Sequence, residues 1–225
     1  MYQVLSKITA RQLLAVAVAT GMTGLPAPGH AHPHVWIDAV AEMLFDESQA
    51  LTGIRVYWAF DELYSAYAVE GLDANGNGEL ERAELAPLVA ENIKNLKEFR
   101  YFTYVEVDGQ NPDYGEVKDF GMRFVNARLA MWFVVPLAGP VDPRKAEIAF
   151  AMYDPTYYIS IELAEEGPIR VSGEMPDRCS HRIVDTEART EALSLSETFF
   201  QNLDSSANFG VNFAQWVRLA CGPQS

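Results

Sequence analysis

Two short stretches carry the residue types best suited to hold something. The first is GHAHPHVWID, residues 29–38, where a chain with four histidines places His30, His32 and His34 within five residues. Imidazole nitrogen suits zinc, nickel, cobalt and copper. In an extended segment His32, His34 and Asp38 project to the same side, so one ion would collect three side chains. If His32 were the first residue of a processed chain, its α-amino group would supply a fourth donor. Pro33 lacks an amide hydrogen, which forbids the amino-terminal copper and nickel motif built from successive deprotonated backbone amides. His181, two residues after Cys179, is the first candidate for a more distant ligand; its plain alternative, beside Arg178 and Arg182, is a surface residue.

The second stretch is DANGNGELERAE, residues 73–84, which fits the twelve-residue calcium loop at each diagnostic position. Calcium takes six to eight hard oxygen ligands. Asp73, Asn75 and Asn77 stand at positions one, three and five, and Gly78 at position six permits the sharp turn. Glu79 offers its backbone carbonyl, Glu81 a direct or water-bridged oxygen, and Glu84 both carboxylate oxygens. Two asparagines replace aspartates that would add charge, and no second loop is present to pair with this one. The expectation is an extracellular-type site filled at about 0.1–1 mM calcium. The bland alternative is an Asn-Gly-rich turn.

The elements that must position these residues are mostly strands. Period-two alternation, the strand signal, runs from Val35 through Ile37 and Ala39, and again through Ile54, Val56, Trp58 and Phe60. Further strands are expected in YFTYVEVDG, which ends at an Asp108-Gly109 turn, in the apolar ARLAMWFVVPL, and in AEIAFAMYD, TYYISIEL and PIRVSG. Asp154-Pro155 reads as an ordinary turn, with Tyr157 and Ile159 as core of the strand that follows. Helical stripes are read through Phe60, Leu63, Tyr64, Tyr67 and Leu72, through Leu85, Leu88, Val89, Ile93, Leu96 and Phe99, and through Ala188, Ala192, Leu195, Phe199 and Leu203. Pro87 falls early in the second and removes a backbone donor. FGVNFAQWVRLAC is read as strand, because Cys221 must reach Cys179. The expected fold class is therefore α+β: a strand-rich, sandwich-like domain with an EF-hand-like helix–loop–helix inserted at about residues 61–100, and a late helix.

The N-terminus has a charged, then apolar, then small-residue order, with Lys7 and Arg11 before Leu13 to Met22, which is the pattern of a secretory signal peptide. The apolar run is shorter than the roughly 20 residues of a membrane span, so no anchor remains after cleavage. Cleavage after Ala31 places Gly29 at the third position before the cut, whereas cleavage after Ala27 would put Pro28 at the scissile bond. Residues 1–31 are thus expected to be the signal peptide and residues 32–225 a single periplasmic domain beginning at His32.

The 225 residues carry a formal charge of −14, and the leader contains basic residues but no acidic ones, so the processed chain is more acidic still. Nucleic acid is not expected as a partner, since phosphate binding needs a basic footprint. With 49% hydrophobic and 12% aromatic residues, the chain can fill a core rather than behave as an acidic tail. Cys179 and Cys221, in an exported protein, read first as one disulfide contributing about 3–4 kcal/mol in the chain-entropy model. A metal cluster of Cys179, His181 and Cys221 is the alternative.

HPHVWID, YFTYVEVDG, YDPTYYI and FAQWVRLAC, together with the calcium-type loop, resemble the exported domain-of-unknown-function family one thousand and seven over nearly all of the processed chain. The resemblance implies periplasmic residence in a Gram-negative cell, a component of an ABC-type transport system, and a link to nickel/cobalt-type membrane transporters. The leading expectation is thus a periplasmic accessory protein that binds calcium through the loop and handles a transition metal for a membrane transporter, and is not an enzyme. No Ser-His-Asp order, HExxH, phosphate loop or dinucleotide fingerprint occurs. Two alternatives remain: a copper redox enzyme using the His32 amine and imidazole as a histidine brace, and a purely structural calcium module.

Overall fold

The computed structural model describes residues 33–192 and 208–222. Among the described residues ten strands form two sheets. Five of them make the path β4-β5-β2-β1-β7, with β1 Val35–Phe45, β2 Leu51–Phe60, β4 Phe120–Val125, β5 Arg128–Val141 and β7 Ile159–Leu163; β8, Ile169–Ser172, also pairs with β1. β7 and β8 lie parallel to β1 at successive registers, Ala39 opposite Leu163 and Ala41 opposite Ile169, so one long strand is covered by two short ones. The second sheet has the order β3-β6-β10-β9, from β3 Thr103–Val107, β6 Ile148–Met152, β9 Cys179–Asp185 and β10 Gln215–Cys221.

Alternation explains why the two sheets share a core. Along β2, Ile54, Val56, Trp58 and Phe60 are buried, while Arg55, Tyr57 and Ala59 face the other way. Ile37, Met43, Phe133 and Val135 of the first sheet join Val105, Ile148, Phe150, Val217 and Leu219 of the second in one cluster. Each such side chain removed from water contributes about 1.5–3 kcal/mol. The helix of residues Arg82–Leu96 closes one part of this cluster with Leu85, Val89 and Ile93 at four-residue spacing.

The expected α+β class with an inserted EF-hand-like helix–loop–helix is not what the chain forms. Strand residues outnumber helical ones by about two to one, and two sheets define the fold. Ahead of the loop stands only α1, Glu62–Ala68, seven residues that end five positions before Asp73. Gly71, at φ +77°, lies in the left-handed region that stops a helix. After the loop comes α2, Arg82–Leu96, which continues through Pro87. The apolar stripe assigned to α1 misled for a physical reason. Leu63 and Tyr67 are 81% and 77% exposed, and Leu72 lies beyond the helix. What α1 buries instead is Ser65, whose hydroxyl donates to the Asp61 carbonyl and accepts the Leu129 amide of β5 at 2.9 Å. Phe99 likewise falls outside α2, in a 3-10 segment Lys97–Phe102 where Arg100, Tyr101 and Phe102 all have positive φ.

Of the late helix, α3 Glu187–Ala192 is described; Leu195, Phe199 and Leu203 lie outside the described residues. FGVNFAQWVRLAC divides into a 3-10 turn Phe209–Phe213 and the strand β10. Strands β4 and β9 carried no recognised signal. β4 meets β5 through the two-residue turn Asn126-Ala127, both at positive φ without a glycine to advertise it.

Candidate functional site

The loop between α1 and α2 curls on itself through its own side chains. Asp73 accepts the amides of Gly76 at 2.8 Å, Asn77 at 3.2 Å and Gly78 at 2.9 Å. Gly76 and Gly78 have φ of +70° and +81°, conformations only glycine adopts cheaply. Asn75 and Asn77 point their amide nitrogens at one carboxylate, Glu81, at 3.2 and 2.7 Å. Glu84 closes the ring: Oε1 accepts Ala74 N at 2.8 Å, while Oε2 accepts Glu81 N at 3.0 Å and so caps α2. Hydrogen bonding with Glu84 first, then with Asn77 and Asn75, holds the Glu81 carboxyl below its ordinary value, so it is ionised at neutral pH.

The donor set fits calcium. Carboxylate and amide oxygens of Asp73, Asn75, Asn77, Glu81 and Glu84, with the Glu79 carbonyl, are all hard, and no sulfur or imidazole intrudes. Each Asn oxygen accepts one backbone amide, Asn75 from Asn77 at 2.9 Å and Asn77 from Glu79 at 2.7 Å, which leaves a lone pair on each. Among the described residues no three His, Cys, Asp or Glu side chains cluster closely enough to hold a metal by themselves. The convergence in the loop is made with two amides.

The histidines are placed differently. His32 lies outside the described residues. His34 precedes β1, exposed, with its ring 4.7 Å from that of Tyr158 and its amide donated to the Tyr158 carbonyl. Asp38 is on the same outward face of β1, as alternation requires, but its carboxylate meets Arg128 at 2.7 Å. Arg128 also donates to the Phe60 and Ala59 carbonyls, so it fastens β5 to β2 and, through Asp38, to β1. His181 stands exposed on β9, the edge of the other sheet, opposite Leu219.

Cys179 and Cys221 are joined by a disulfide at the last paired position of β9 and β10, which removes the thiolates that a Cys-His cluster would need. Asp154 is buried and accepts from Thr156 N at 2.8 Å, Thr156 Oγ1 at 2.9 Å and Ile159 N at 3.0 Å, a turn-forming role as read from the motif. Tyr157 and Ile159 are half-buried, and the Tyr157 ring stacks on Phe213 at 4.3 Å.

Sequence reasoning missed a second concentration of chemistry. Arg55, Tyr57, Arg82, Arg123 and Trp132 line a cleft of about 460 Å³ against the loop. The available signal was the other half of the alternation: the outward positions of β2 and β5 carry arginine, tyrosine and tryptophan instead of small polar residues.

A two-sheet, strand-rich protein with one oxygen-lined loop is thus the class that fold and site define. The chain belongs to the family described as "Protein of unknown function (DUF1007)", whose model matches residues 17–221. An "Uncharacterized protein" of Haemophilus influenzae is 29% identical over 198 residues, covering 85% of this chain and 91% of that protein. An "Uncharacterized 15.5 kDa protein in trpE 3'region" of Spirochaeta aurantia is 30% identical over 97 residues, 43% of this chain and 69% of its own length.

Proposed function

We propose that this chain is an exported, periplasmic binding protein whose loop of residues 73–84 takes calcium, and that it serves as a non-catalytic accessory to a membrane metal transporter. The observation that carries the calcium reading is that one hydrogen-bonded loop gathers the oxygen-bearing side chains of Asp73, Asn75, Asn77, Glu81 and Glu84, with Asp73 and Glu84 fastening its two ends and each Asn oxygen keeping a lone pair. The loop works without an incoming helix. Its curl comes from Asp73 and the two positive-φ glycines, and its exit is fixed by α2. Bound calcium would offset the charge of the Asp73, Glu81 and Glu84 carboxylates, which the neutral asparagines leave in place.

A transition-metal role for His32, His34, Asp38 and His181 has weaker support, because Asp38 is already paired with Arg128 and His181 belongs to the other sheet. Calorimetric titration of the processed protein tests the leading reading. Calcium should bind at about 0.1–1 mM, with magnesium weaker, and Glu84→Gln should weaken calcium at least about tenfold. A wild-type protein that takes up no calcium at several millimolar overturns it. Titration with zinc and copper, comparing His34→Ala with the wild type, tests the histidine site separately.

A further inference from the structure

The acidic chain gathers arginines at one cleft. It opens on the face of the first sheet that points away from the shared core, between β2, β4, β5 and the start of α2. Tyr57 and Trp132 are direct cross-strand partners there and make an aromatic floor. Trp132 lies flat because its partner on β4 is Gly121; a Cβ at that position would sit inside the indole ring.

The charges around this floor do not cancel. Arg55 is satisfied, by Glu42 at 2.9 Å and Asp119 at 3.2 Å, and Glu42 also accepts from the Tyr57 hydroxyl at 3.2 Å. Arg82 and Arg123 are different: among the described residues neither has a carboxylate within ion-pair distance. The Arg82 guanidinium stands 5.5 Å from the centre of the Trp132 ring, held by cation–π attraction rather than by an anion. In a protein of charge −14, Arg82 and Arg123 are exposed cations on one cleft with no carboxylate partner among the described residues, an arrangement that an anion would complete.

We propose that the cleft binds a small dicarboxylate with a flat or apolar body, its carboxylates taken by Arg82 and Arg123 and its body laid over Trp132 and Tyr57. The guanidinium fork matches a carboxylate in two parallel hydrogen bonds. A volume of about 460 Å³ falls in the range of small-molecule pockets. A single phosphate would leave the aromatic floor unused. Arg82 lies within the loop of residues 73–84, between Glu81 and Glu84, whereas Arg123 and Trp132 lie outside it, so the cleft is titrated at constant calcium and the Arg123 variants separate the two sites.

The test is calorimetry on the processed protein with phthalate, succinate and inorganic phosphate as probes, followed in parallel by tryptophan fluorescence. Phthalate should bind saturably with Kd below about 1 mM, and succinate more weakly. Arg82→Gln and Arg123→Gln should each weaken phthalate about tenfold, and the double variant should abolish it. Arg218→Gln, on the other sheet, should change nothing. Arg82→Lys and Arg123→Lys keep the charge but lose the fork, so affinity should fall between wild type and glutamine, with thermal midpoints unchanged. No saturable phthalate or succinate binding at about 10 mM overturns the proposal, as does undiminished affinity in the double variant. Phosphate binding as tight as phthalate would also overturn it, since the cleft would then read charge alone.

Discussion

The side-chain amide of Asn77 donates to the Glu81 carboxylate at 2.7 Å, joining the fifth and ninth positions of the loop. An aspartate at position 77 would reverse this contact, because it has no proton to donate and carries a like charge. Asn77→Asp should therefore lower the thermal midpoint of the calcium-free protein and raise calcium affinity, by about threefold to tenfold. Paired melts with calcium and with chelator check both signs. A variant that loses stability equally in the two conditions would count against calcium at this loop.

Ser65 is the polar peg on which α1 turns. Its hydroxyl bridges the Asp61 carbonyl and the Leu129 amide in a fully buried position. Ser65→Ala leaves that amide unsatisfied and should cost about 1–3 kcal/mol in denaturant unfolding. Exchange of the Leu129 amide hydrogen should accelerate in the same variant.

Reduction of Cys179–Cys221 frees the outer strand of the second sheet. The bridge spans 42 positions, so the chain-entropy model gives about 3–4 kcal/mol. For a chain of this size that corresponds to a fall of about 10 °C in Tm. Amide exchange should rise first in β9, which has a neighbour on one side only.

Asp46 caps the turn between β1 and β2. Its carboxylate accepts from Ser48 Oγ at 2.7 Å and from the amides of Ala50 and Ser48, and these bonds, the Ser48 side chain foremost, hold its pKa below the ordinary 3.8. A depressed carboxylate contributes stability that is fully present above the unfolded pKa and is lost as pH falls through the lower folded one. Asp46→Asn should thus be less stable than wild type at neutral pH, and the gap should close as pH falls below 3.8 through the lowered folded value. Urea melts from neutral pH down to about pH 2.5 trace the window.

Sequence by itself determined most of the strands, though not β4 and β9, and most of their inward faces. Period two through Ile54, Val56, Trp58 and Phe60 is a local property, since neighbouring side chains in an extended chain must point opposite ways. The Asp108-Gly109 turn was legible for the same local reason, with φ of +51° and +73°. The curl of residues 73–84 also follows from Asp73 and its glycines. Contacts between distant segments were not legible. Tertiary structure decided that α1 buries a serine and exposes Leu63 and Tyr67, because the partner that makes Ser65 worth burying is the Leu129 amide, 64 positions away. It decided that Asp38 meets Arg128 from another strand and that His181 stands on the far sheet. It also brought Arg82, Arg123 and Trp132 around one cleft, from three elements whose alternation says which way each side chain points but not what stands opposite. Periodicity fixes direction along one element, whereas a site is made by the register and packing between elements, and those depend on long-range pairing that no local window contains.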